Sequence, residues 1–183
     1  MNEKILDFFF RAAEKGDWEV LSMEDAIKGL KINEKELKKV VPDKNYFLVF
    51  YNEYLDKKVL ESISEEDIQN SSSDEVLQEY LMTKLEFMNK YKLAIANIIN
   101  TSLKNNSFIL LSLKSNKKSI KNFVEKATKE KSIIKKNILI KLILGLWLIS
   151  FNKWLYENYN NESSFSFIDK GIKKIKNNFQ FFK

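Results

Sequence analysis

The chain has 183 residues, with 31 Lys+Arg against 25 Asp+Glu for a formal net charge of +6, no Cys, no His, one Pro and four Gly. Without Cys or His it can form no disulfide, thiolate nucleophile, imidazole base or Cys/His metal site. So few Gly and Pro cannot supply the turns of a many-stranded sheet, and the fold class expected is all-α, about one domain in size. The charge is unevenly placed: residues 1–60 carry −1, residues 61–100 carry −5 and residues 101–183 carry +12.

Ile5, Leu6, Phe9, Ala12 and Ala13 recur at helical spacing and predict a first amphipathic helix that Gly16 stops. Ser22 ahead of Met23-Glu24-Asp25 is a good N-cap for a short second helix ending near Leu30, and Asn33 with Glu36 caps a third over Glu34–Val40. Pro42-Asp43 then opens a fourth helix, from about Lys44 to Leu60. Residues 62–73, polar, acidic and rich in Ser, read as a loop.

Asp74 starts a helix carrying Val76, Leu77, Tyr80, Leu81, Leu85 and Met88, and another follows over Leu93–Leu103. Residues 107–127 predict one or two more. The most apolar stretch, Ile138–Trp154, lies in a long helix over about Ser132–Glu157; broken by Lys141 and Asn152, it reads as a fully buried central helix rather than a bilayer span. The last helix spaces Phe165, Ile168, Ile172, Ile175, Phe179 and Phe182 at 3, 4, 3, 4 and 3, the strongest periodic signal in the chain.

The acidic clusters Glu24/Asp25, Glu65/Glu66/Asp67 and Asp74/Glu75 sit at helix starts or in the polar loop, where capping and solvation explain them. No catalytic residue, metal or cofactor is assigned, and the chain is expected not to be an enzyme. Met82, Phe87, Met88, Phe108, Trp147 and Phe151 are large apolar groups that would line a hydrophobic-ligand pocket if the larger domain is hollow, or fill its core if it is not.

Three short helices in the first 41 residues, a tight turn between the second and third, and a longer helix after Pro42-Asp43-Lys44 make a helix-turn-helix layout. Over residues 1–50 the chain resembles the TetR family of transcriptional regulators. The resemblance rests on the stop at Gly16, the Ser22 cap, the Ala26-Ile27 pair, the turn at Lys31-Ile32-Asn33, an inward Leu37 and the Pro42-Asp43-Lys44 step. The chain departs from the family pattern where Lys31 replaces a turn Gly, Lys38 an aromatic and Val41 a Phe.

The resemblance implies a helix-turn-helix head over residues 1–46 and a helical ligand-binding and dimerisation domain over 47–183, about nine helices in all. It implies a cytoplasmic homodimer that binds double-stranded operator DNA through Ser22, Asn33, Glu34, Lys35, Lys38, Lys39 and Lys44 and responds to a hydrophobic small molecule. The dimer seam is expected along Trp154, Phe165, Ile168, Ile172, Ile175 and Phe179. A second family, the lipid-binding accessory protein of ubiquinone biosynthesis, is similar in fold but lacks the DNA function. Under that reading the last helix, with Lys170, Lys173, Lys174 and Lys176 opposite its apolar stripe, is a peripheral membrane contact.

Overall fold

The computed structural model describes residues 1–179; Phe182, the last member of the terminal stripe, lies outside the described residues. The helices in chain order are α1 (Asn2–Glu14), α2 (Met23–Leu30), α3 (Glu34–Val40), α4 (Phe47–Ser62), α5 (Glu65–Asn70), α6 (Ser73–Met88), α7 (Lys92–Ser102), α8 (Asn106–Ala127), α9 (Ile133–Tyr156) and α10 (Glu162–Phe179). Short 3-10 turns over Lys44–Tyr46 and Asn89–Tyr91 lead into α4 and α7. No strand occurs among the described residues.

Local sequence accounts for most boundaries. Gly16, at φ 84, takes the left-handed conformation that ends α1. The amides of Gly16 and Asp17 return to the carbonyls of Ala13 and Ala12. The Ser-rich segment expected as a loop instead folds α5 between two capping boxes. Ser64 pairs reciprocally with Asp67, and Ser72 does the same with Glu75 at the head of α6. Asn105 caps α8 by accepting from the amides of Ser107 and Phe108 at 3.0 and 3.2 Å, and α8 then runs unbroken to Ala127.

The chain forms two compact units, one of Met1–Tyr54 with Tyr91–Ser115 and the other of Leu55–Lys90 with the described chain from Asn116 onward. The divisions fall inside α4 and α8, so each of these helices belongs to both units.

In the first unit α1 packs on α7 and α2 around an aromatic cluster. Phe9 stacks on Phe47 at 4.7 Å, Phe10 on Tyr91 at 4.1 Å, and Trp18 leans on Phe47 at 5.6 Å. Such pairs add to the large apolar area each ring removes from water.

In the second unit α10 lies on α9 and α6. Ile168, Ile172 and Ile175 are buried there, and a Cβ added to Gly171 would stand 2.3 Å from Leu146 Cδ1 of α9. Only a glycine permits that approach. Lys176 closes the end of α10 onto α6 through a 2.6 Å bond to Asp74.

Among the described residues α9 is the one helix long and apolar enough to cross a bilayer, and 44% of its apolar window is buried within the chain. It is not the fully buried helix its composition suggests. Packing covers one side only and leaves Ile133, Ile134, Ile138, Ile149 and Tyr156 exposed.

Candidate functional site

The first unit presents a helix-turn-helix built from local capping. Ser22 Oγ accepts from the Asp25 amide at 3.1 Å while Asp25 Oδ2 accepts from the Ser22 amide at 3.1 Å. The Ser22 hydroxyl, donating to Oδ2 at 2.6 Å, and then the Ser22 amide hold the Asp25 carboxyl below the usual carboxylate range. At the far end of α2, Lys31 takes the left-handed conformation, φ 54, at a steric cost to its side chain of about 1 kcal/mol. Asn33 Oδ1 then accepts from the Lys35 amide at 2.8 Å and opens α3.

Ala26, Leu37 and Val41 are all fully buried, so α2 and α3 are held by three small or branched apolar groups. The rest of α3 faces solvent. Glu34, Lys35, Glu36, Lys38 and Lys39 are exposed. Glu34 and Lys38, one turn apart, pair at 2.6 Å, and the Lys38 ammonium holds the Glu34 carboxyl below its ordinary value. Being exposed, that pair is a weak one.

Lys44 behaves differently from its neighbours. Its Nζ donates to the carbonyls of Trp18 at 2.8 Å, Glu19 at 3.0 Å and Leu21 at 2.9 Å, and it sits 5.5 Å from the Trp18 ring centroid. An ammonium has three N–H donors, and all three are used. Burial pushes the amine below the usual lysine range, with Glu19 opposing. Lys44, expected at the phosphates, instead ties the chain leaving α3 to the segment entering α2.

The residues expected to line a ligand pocket are placed as follows. Phe108 is buried in the first unit, and the other five belong to the second. There Met88 and Trp147 are buried, Met82 and Phe151 are half-buried, and Phe87 is exposed. Trp147 Nε1 donates to Asn116 Oδ1 at 2.7 Å, and Phe151 lies 6.0 Å from Trp147 and 5.5 Å from Trp154. These contacts describe a packed aromatic run along α9.

Beside it lies a cluster that the sequence reading did not identify. Asp56 Oδ1 accepts from Lys84 at 2.5 Å, Tyr80 at 2.8 Å and Ser119 at 2.8 Å, and Lys84 Nζ also reaches Ser119 Oγ at 2.8 Å. Lys84 is 1% exposed and lies 5.2 Å from the Trp147 ring centroid. Burial pushes its amine below the ordinary value, opposed by Asp56. The clue was positional: Lys84 stands four residues after Tyr80 and seven after Leu77, on the apolar face of α6.

The seam residues are also redistributed. Trp154 is fully buried and donates to Asn89 Oδ1 at 2.7 Å, and Ile168, Ile172 and Ile175 are spent on the core of their own unit. Phe165 is half-buried and Phe179 exposed. Ile168, Ile172 and Ile175 therefore fill the core against α9 and α6, while Phe179 stays at the surface.

No protein-family model matches the sequence, and no curated protein matches it. Among solved structures, the crystal structure of the TetR transcriptional regulator from Nitrosomonas europaea ATCC 19718 superposes with a TM-score of 0.75. The match covers 95% of this chain and 97% of that chain at 14% identity. The fold is that of the TetR-like proteins.

Proposed function

We propose that this chain is a homodimeric, TetR-type regulator that binds DNA through α2 and α3 and is controlled by a hydrophobic small molecule in the cytoplasm. The observation that carries the DNA reading is the outward face of α3. Lys35, Lys38 and Lys39 stand exposed on a helix capped at its start and anchored behind by Leu37. Lysines so placed neutralise phosphates and release counterions, while Glu34 and Asn33 at the helix start can accept from or donate to base edges. Ser22 supports this face by capping α2. Lys44 supports it by holding the preceding segment.

The dimer seam that fits the exposed surface runs along α9. Ile138, Leu142, Gly145, Ile149 and Tyr156 follow one face at spacings of four, three, four and seven. A Cβ placed on Gly145 meets nothing within 4 Å, so the middle of the stripe leaves room for close approach by a second helix. Two-fold symmetry would then set the heads on half-sites about one turn of B-DNA apart.

Replacing Lys35, Lys38 and Lys39 together by Ala tests the reading by titration with duplex DNA from the gene's own upstream region. Affinity should fall and the salt slope become shallower by about three charges' worth. An unchanged slope would remove α3 from the interface. The alternative, a lipid-binding accessory protein with a membrane-seated last helix, is disfavoured because Ile168, Ile172 and Ile175, the middle of the α10 stripe, are already buried.

A further inference from the structure

We infer that the tip joining α8 to α9 is a docking surface for anionic membrane, separate from the helix-turn-helix and from α10. Residues 126–136, KATKEKSIIKK, hold Lys126, Lys129, Lys131, Lys135 and Lys136 against the single acid Glu130. In the middle of them Ile133 and Ile134 are 76% and 74% exposed, among the most exposed large apolar side chains in the chain. All of these residues belong to the second unit.

The tip is ordered by its own bonds. Thr128 Oγ1 accepts from the Glu130 amide at 3.1 Å, Glu130 Oε1 accepts from the Ser132 amide at 2.8 Å, and Ser132 Oγ caps α9 by accepting from the Lys135 amide at 3.4 Å. Glu130 is thereby turned into the loop, its side chain 17% exposed, with Oε2 3.9 Å from Lys135 Nζ. The one negative group is withdrawn from the surface, and what remains outside is lysine around two isoleucines.

That combination selects among occupants. A second copy meeting this tip across a two-fold axis would set five lysines against five, which like-charge repulsion opposes. Duplex DNA would take the lysines, but its phosphate surface offers Ile133 and Ile134 no apolar partner. An anionic bilayer accommodates both, since lysines snorkel to headgroups while the isoleucines enter the acyl boundary. Charge and apolar contact then act at one place, on a loop already held in shape.

Flotation of the full chain with vesicles of phosphatidylcholine alone and of phosphatidylcholine mixed with phosphatidylglycerol tests the assignment. The chain should float with the mixed vesicles and stay behind with phosphatidylcholine. Replacing Lys126, Lys129 and Lys131 by Gln should weaken binding by about fivefold per lysine. Ile133→Ser with Ile134→Ser should abolish flotation, and because both side chains are exposed, the helical signal should be unchanged. Absence of flotation, equal flotation with uncharged vesicles, or a double-serine variant that floats like the wild type would each overturn the assignment. So would a shift of that variant to a smaller species in sedimentation, which would give the isoleucines to a second copy. DNA titration of the same variants is a separate readout, so failure here leaves the α3 reading standing.

Discussion

Removing one side of the buried Asp56–Lys84 pair should expose how unequal its two members are. Lys84 is 1% exposed and Asp56 21%, so the amine has no route to water while the carboxylate has one. Asp56→Ala leaves a buried ammonium facing Ser119, Tyr80 and the Trp147 ring, an uncompensated charge costing about 3–5 kcal/mol. For a chain of this size that is a fall of about 6–20 °C in melting temperature. Lys84→Met should be mild, within about 1 kcal/mol of wild type, because Asp56 keeps Tyr80 and Ser119 as donors and the buried charge is gone. The double variant should recover most of the loss.

A pH series sharpens the test. Burial already holds the Lys84 amine below the ordinary lysine value, and loss of Asp56 removes the group that opposes this. The unfolded chain then binds the proton more readily than the folded chain does. Across the window between the two pKa values stability therefore rises with pH, by at most about 1.4 kcal/mol per unit. Urea unfolding followed by circular dichroism should show the Asp56→Ala deficit shrinking as the pH rises toward the ordinary lysine value, about 10. If Lys84→Met costs more than Asp56→Ala, or if the deficit is flat with pH, the buried-charge reasoning is wrong.

Lys44→Met strips the donors from three carbonyls and should cost about 1–3 kcal/mol of stability, whereas the triple alanine variant of α3 should stay within about 0.5 kcal/mol of wild type by the same melts. Gly145→Ala should raise monomer stability by up to about 1 kcal/mol through helix propensity while weakening self-association, measured by sedimentation equilibrium. Gly171→Ala, whose Cβ would press on Leu146, should instead lose about 1–2 kcal/mol net of that gain, and equal effects at the two glycines would refute the packing assigned to both. Burial alone would raise the Asp74 carboxyl, but bonds from Lys176 and Ser72 hold it below the carboxylate range. The stability this supplies is present above about pH 4 and lost as the pH falls through the lower folded value, so Asp74→Asn should flatten the acid limb of the unfolding curve.

Sequence alone determined the all-α class and most helix boundaries, because caps and stops act within one turn of the chain. Ser22, Asn33 and Gly16 perform the roles their residue types imply without help from distant contacts. The exception, α5, is an instance of the same rule, since its Ser64–Asp67 and Ser72–Glu75 spacings were present in a segment read as loop for its polarity.

The periodicity of α10 showed that its stripe would be covered, and only the tertiary structure decided by what, since a 3-4 spacing suits a core, a seam and a bilayer alike. Composition likewise made α9 look buried on all sides. Packing covered one side and left the other for the seam and the tip proposed above. The roles of Lys44 and Lys84 were set in the same way, by carbonyls more than twenty residues away and by a carboxylate twenty-eight residues away. A lysine's type says it will be charged; whether that charge meets a phosphate, a carbonyl or a buried aspartate depends on which groups the fold brings within about 3 Å of it.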